Sequence, residues 1–208
     1  MTEPSRLGLL VPAAILLLLG VAVLAIVPRG AAPLPAPSAG GQAMKAGVFT
    51  PAHEAPDFSL SGSNGSPVTL ERYRGKIVLL TFGFTHCAAV CPTTLATLAQ
   101  ARSKLGAAAH SVQVIYVTVD PDRDTADTMR RYLAAFDPSF IGALGTPDAL
   151  ASVRKRYGVT AVRQGTGPDY AMAHTSSIFL IDRVGMLRAV MPFGHDAADF
   201  VHDIELLS

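Results

Sequence analysis

Lys76–Phe84 reads KIVLLTFGF, an almost unbroken apolar run, and it leads directly into Cys87-Ala-Ala-Val-Cys91-Pro92. An apolar run of this length without strict alternation belongs to a strand buried on both faces, as in a parallel sheet covered by helices. Pro92 is pre-organised for a first helical turn, so Pro92–Leu105 is predicted helical. A second run, Val112–Val119 (VQVIYVTV), predicts a second buried strand. Strand, helix and strand in this order imply parallel pairing through a crossover.

The rest of the chain from about residue 56 continues the alternation. Asp57–Leu60 and Pro67–Leu70 predict a short hairpin around Ser63-Asn64-Gly65. Asp124–Phe136 is predicted helical, capped by Asp124 or Thr125. Phe140–Leu144 follows as a strand, and Pro147–Tyr157 as a helix ended by Gly158. Ser176–Asp182 and Met186–Met191 predict a late hairpin, with Ala197–Leu207 as the closing helix. The fold class is α/β, and the order is compatible with a thioredoxin-like fold: a central mixed sheet flanked by helices.

The N-terminal region has a different character. Leu7–Val27 carries no charge, and roughly 20 apolar residues span a bilayer. A cleaved signal peptide usually has a shorter apolar stretch, of about 7–15 residues, so an uncleaved transmembrane helix is the expectation. Residues 1–6 form a short cytoplasmic stub, 7–27 the anchor, 28–50 a linker rich in Pro, Ala and Gly, and 51–208 the folded domain. The net charge of +1, with mixed signs, gives no sign of a nucleic-acid footprint.

Cys87 and Cys91 are the only cysteines in the sequence. They lie where a buried strand gives way to a helix. Helix N-termini carry unpaired N–H groups and partial positive charge, which favour thiolates. In a helix, the i, i+4 spacing would put both sulfurs on one face, able to clasp one ion or close a disulfide. A purely structural disulfide over so short a loop would contribute roughly 2 kcal/mol, a small staple for this domain. Inert buried thiols are the other bland reading. Metal binding or redox chemistry fits the position better.

Two thiolates rarely complete a metal site. The histidines available are His53, His86, His110, His174, His195 and His202. His86 adjoins Cys87 and would point away from the sulfur face of a helix. His53 falls near the linker, His110 before a strand, and His195 and His202 around the last helix. His174 stands immediately before the apolar strand TSSIFLID, and a loop there often faces the reactive end of a thioredoxin-like fold. Position alone makes it one candidate among several. Two thiolates and an imidazole suit copper(I), whereas structural zinc would want a fourth protein ligand.

Several longer motifs narrow the reading. YRGKIVLLTFGFTHC, the C-x-x-x-C-P of Cys87–Pro92, VDPDRDT at Val119–Thr125, FDPSFIGALGT, RKRYGV and HTSSIFLID occur in this order. Over roughly residues 56–205 the chain strongly resembles the Sco/SenC family of copper chaperones for cytochrome c oxidase assembly. The resemblance implies a thioredoxin-like fold and a copper site, for Cu(I) and in some states Cu(II), built from Cys87, Cys91 and His174. It implies delivery of copper to the dinuclear copper site of an oxidase subunit, with other copper chaperones or thiol-disulfide reductases as further partners. It implies a single-pass anchor in a bacterial inner membrane, with the domain facing the periplasm. The alternative is a thiol-disulfide oxidoreductase, with Cys87 and Cys91 as a catalytic dithiol that keeps the oxidase cysteines reduced.

Two departures stand out. The family often carries Pro-Asp after the first cysteine, where this chain has Ala88-Ala89, and Asp before the distal histidine, where it has Ala173. Two acidic groups are thus absent near the site, but no ligand is lost. A peroxide-reducing enzyme on the same fold would need a proline upstream of its cysteine, and none is suitably placed. In VDPDRDT, Asp120, Asp122 and Asp124 have the look of an oxygen-rich cation loop. A turn at Pro121 with Asp124 capping the next helix is the preferred reading, with Arg123 paired to one of the carboxylates.

Overall fold

The computed structural model describes residues 43–208. The predicted anchor at 7–27 and most of the linker lie outside these residues. Among the described residues, no helix is long and apolar enough to cross a membrane.

The two long apolar runs form the centre of the domain. Strands β4 (Ile77–Gly83) and β5 (Val112–Thr118) are buried along their whole lengths and pair in parallel, with Leu80 opposite Ile115. Strand β6 (Ile141–Leu144) extends the parallel sheet beside β5. Helix α1 (Val90–Leu105) makes the crossover from β4 to β5, and α2 (Ala126–Ala134) the crossover from β5 to β6. The late hairpin, β9 (Ser177–Ile181) and β10 (Met186–Pro192), adds antiparallel strands on the other side of β4. The short hairpin β2 (Leu60–Gly62) and β3 (Pro67–Val68) closes the far edge against β6. Helix α3 (Pro147–Arg156) follows β6, and α4 (Ala197–Leu206) packs on α1. The result is a mixed sheet flanked by helices, with the thioredoxin-like order anticipated from the sequence.

Two features differ from the sequence reading, and one choice that it leaves open is decided. Strand β1 (Gly47–Glu54) pairs with β10 and makes one edge of the eight-stranded sheet. It crosses the boundary placed at residue 51, so the folded domain starts inside the segment read as linker, and His53 sits on a strand. Strands β7 (Ala161–Gln164) and β8 (Ala171–His174) form a separate two-stranded sheet that the apolar pattern did not announce. Helix α2 is capped by Thr125, whose hydroxyl takes the Thr128 N–H in a reciprocal capping box. Asp124 is therefore free for another task.

Candidate metal site

Strand β4 ends at Gly83, and the chain then loops through Thr85–Ala89 before α1 begins at Val90. Cys87 is thus in the loop and Cys91 in the first helical turn. Helix α1 has no side-chain oxygen at its N-cap, Ala89. The Cys87 sulfur partly fills that role, accepting the Cys91 N–H at 3.4 Å. Burial alone would raise the Cys87 thiol. Hydrogen bonds from Cys91, Ala89 and Val90 outweigh it and hold the thiol below its ordinary value. Cys91 is buried, and burial pushes its thiol up to about 12, outweighing the opposing effect of Tyr116. Both cysteines are free thiols.

His174, the last residue of β8, reaches the same place from the other side of the domain. Its Nε2 lies 3.5 Å from the Cys91 sulfur. Its Nδ1 is 2.9 Å from the Thr175 carbonyl, which assigns the ring proton to Nδ1 and turns the Nε2 lone pair toward sulfur. Burial lowers the His174 pKa, outweighing the opposite effect of the Thr175 bond, so the ring is held neutral. The edge of the Phe84–His174 pair, with centroids 5.9 Å apart, fixes the ring further.

The structure therefore joins Cys91 directly to His174, and Cys87 to Cys91 through a backbone N–H. This is an open cluster. Among the described residues, no group of three or more His, Cys, Asp or Glu side chains is placed to hold a metal ion. The remaining histidines are placed elsewhere: His195 pairs with Asp199 and His202 with Asp203, and His53 packs edge-on against Phe49. His86 is exposed beside Cys87 and contacts the Thr85 hydroxyl at 3.1 Å.

Asp124 does what the spacing did not reveal. It is 4% exposed. One carboxylate oxygen accepts both the Thr85 hydroxyl (2.6 Å) and the Thr85 N–H (3.2 Å), and the other accepts the Thr118 hydroxyl (2.6 Å). Asp124 thus ties the cysteine loop to the end of β5. Asp120 takes Arg123 Nε at 2.6 Å and the Tyr170 hydroxyl, so both buried carboxylates of the cation-loop reading, Asp120 and Asp124, are already engaged. Tyr116 and Tyr170 carried no motif signal.

The family model described as SCO1/SenC matches residues 48–207. The chain belongs to the SCO1/SenC family. Among curated relatives, the mitochondrial SCO2 protein of Saccharomyces cerevisiae is 39% identical over 132 residues, 62% of this chain and 44% of that protein. The chain spans about half the length of the first such relatives. Among solved SCO1/SenC structures, copper-bound ScoI of Bradyrhizobium japonicum is 36% identical with a TM-score of 0.69, covering 76% of this chain and 100% of that one. Apo Sco1 of Thermus thermophilus is 37% identical with a TM-score of 0.72, covering 80% and 98%. The SCO1/SenC match takes in the thioredoxin-like sheet and its flanking helices, from residue 48 to 207.

Proposed function

We propose that this protein binds copper through Cys87, Cys91 and His174 and delivers it to the dinuclear copper site of a cytochrome c oxidase subunit. The observation that carries the reading is the 3.5 Å contact between Cys91 Sγ and His174 Nε2, with the Cys87 sulfur one hydrogen bond away. Two sulfurs and a neutral imidazole are soft donors that favour copper(I). The open arrangement leaves a bound ion accessible for ligand exchange with an acceptor. Copper in a 36% identical relative supports the same cargo. The uncharged Leu7–Val27 run supports a membrane anchor, with the domain on the periplasmic side of a bacterial inner membrane.

The decisive measurement is copper stoichiometry with X-ray absorption on the reduced domain. One copper per chain, with two sulfur neighbours and one nitrogen, is the expected result. Replacement of His174 by Ala should remove the nitrogen and weaken retention. A wild-type domain that takes up no copper overturns the reading.

One observation favours a second reading. Cys87 is half-buried with a lowered thiol pKa, while Cys91 is buried with a raised one. This asymmetry separates an attacking from a resolving thiol, as disulfide reduction requires. A His174→Ala variant that loses copper yet still supports oxidase maturation would favour the reductase.

A further inference from the structure

His174 sits on a strand that the central sheet does not hold. Strands β7 and β8 pair only with each other. At the base of this hairpin, the Thr175 N–H bonds to the Thr160 carbonyl at 3.0 Å and the Thr160 N–H to the Thr175 hydroxyl at 3.1 Å. Ala161 and Met172 pack against the core and Phe84 meets the His174 ring edge-on, and a further set of polar contacts lies near the tip.

There, Tyr170 is 8% exposed and donates its hydroxyl to Asp120, which is 2% exposed. The guanidinium groups of Arg123 and Arg163 each lie 3.6 Å from the Tyr170 ring centroid. Two cations that close to one centroid must occupy opposite faces, so the ring is sandwiched. Arg123 binds the second oxygen of Asp120 and also reaches the Pro168 carbonyl at 3.3 Å. A buried carboxylate needs such partners, and Asp120 has no cheaper place to find them.

The same short segment therefore holds both halves of the site. Asp124 grips the cysteine loop through Thr85, and Asp120 grips the histidine hairpin through Tyr170. We propose that Asp120 and Tyr170 are positioning residues, forming a latch that holds His174 over Cys91 separately from the grip of Asp124 on the cysteine loop. The proposal rests on the reading of Cys87, Cys91 and His174 as one site.

Tyr170→Phe tests it, because the ring and its stacking remain while the bond to Asp120 is lost. In the copper-free domain, amide hydrogen exchange across residues 161–174 should accelerate about ten- to a hundredfold, the range for a charge-assisted hydrogen bond. Exchange in β4, β5 and α1 and the alkylation rate of Cys87 should stay at wild-type values. Arg163→Gln, at an exposed position, should accelerate hairpin exchange severalfold. Asp124→Asn should show the opposite selectivity, changing Cys87 alkylation and leaving hairpin exchange unaltered. Loaded with Cu(I), Tyr170→Phe should keep two sulfur neighbours and show a diminished nitrogen contribution by X-ray absorption. Wild-type hairpin exchange in both Tyr170→Phe and Arg163→Gln overturns the latch. A wild-type domain whose copper has no nitrogen neighbour overturns the function instead, and the exchange comparison still decides the latch.

Discussion

The hydroxyl of Tyr116 lies directly over Gly83, the last residue of β4, and donates to the Phe84 carbonyl at 3.2 Å. Tyr116 also acts on the Cys91 thiol, so the glycine leaves room for a residue beside the proposed site. A methyl at residue 83 would overlap the hydroxyl and stand 2.6 Å from ring carbon Cζ. Gly83→Ala should therefore destabilise the domain by about 1–3 kcal/mol, the usual range for overpacking a core. Urea unfolding measures it. Adding Tyr116→Phe should recover only part of the loss, because the ring carbon still collides.

The two thiols should react very differently. Cys87 is half-buried and releases its proton below the ordinary thiol value, while Cys91 is buried and pushed up to about 12. Alkylation proceeds through the thiolate, so labelling of Cys87 should rise with pH earlier than that of a free thiol. A Cys91→Ser variant should label at lower pH than a free thiol, and a Cys87→Ser variant should resist until strongly alkaline. Mass spectrometry after timed iodoacetamide treatment checks both. Equal rates would show that the helix N-terminus gives Cys87 no advantage.

The central strands were legible because burial on both faces leaves an unbroken apolar run, as in Ile77–Gly83 and Val112–Thr118. Strand β1 left no such trace. It is an edge strand whose residues are exposed or half-buried, and it follows a stretch rich in Pro and Ala. The β7–β8 hairpin is equally exposed and packs as a pair, so no period marks it. The cysteines were legible from their place between strand and helix. His174 was one of six histidines by position, and the family motif singled it out. Part of what fixes its hairpin is carried by Tyr170 and Asp120, which are 50 residues apart. Spacing offers Asp124 or Thr125 as the cap of α2 and cannot choose between neighbours; Thr125 supplies it and leaves Asp124 for Thr85 and Thr118.

Arg102 joins three elements near the end of α1. It bonds Asp137 through Nε at 2.9 Å, the Ala109 carbonyl at 2.7 Å, and the Val112 carbonyl. Burial alone would raise the Asp137 carboxyl, but hydrogen bonds from Ser139 and Arg102 outweigh it and hold it below the usual value. A carboxyl held low stabilises the fold above its unfolded value of about 4, and that stability is lost as pH falls through the folded value. Arg102→Gln should cost about 1–3 kcal/mol at neutral pH. The gap from wild type should narrow below about pH 4 without closing, because the carbonyl bonds do not titrate. Urea titrations at neutral and acidic pH supply the comparison, and a gap that widens in acid would be inconsistent with this pairing.

Asp203 fastens the start of the described domain to its last helix. Its carboxylate is fully buried and accepts the Lys45 N–H at 2.7 Å and the Ala46 N–H at 2.8 Å, while His202 Nδ1 lies 2.9 Å from it. An ionised group out of water is tolerated only when its oxygens are bonded, and here the backbone leading into β1 supplies the bonds. Asp203→Ala removes the acceptor and leaves two N–H groups without it. The expected loss is about 2–4 kcal/mol, from charge-assisted bonds of about 1.5–3 kcal/mol and the desolvation of stranded donors. The loss should be local first. Amides of Gly47–Glu54 should exchange faster while those of β4 and β5 hold, since β1 is an edge strand paired only with β10. Uniform acceleration across the sheet would instead make Asp203 part of the central cooperative unit.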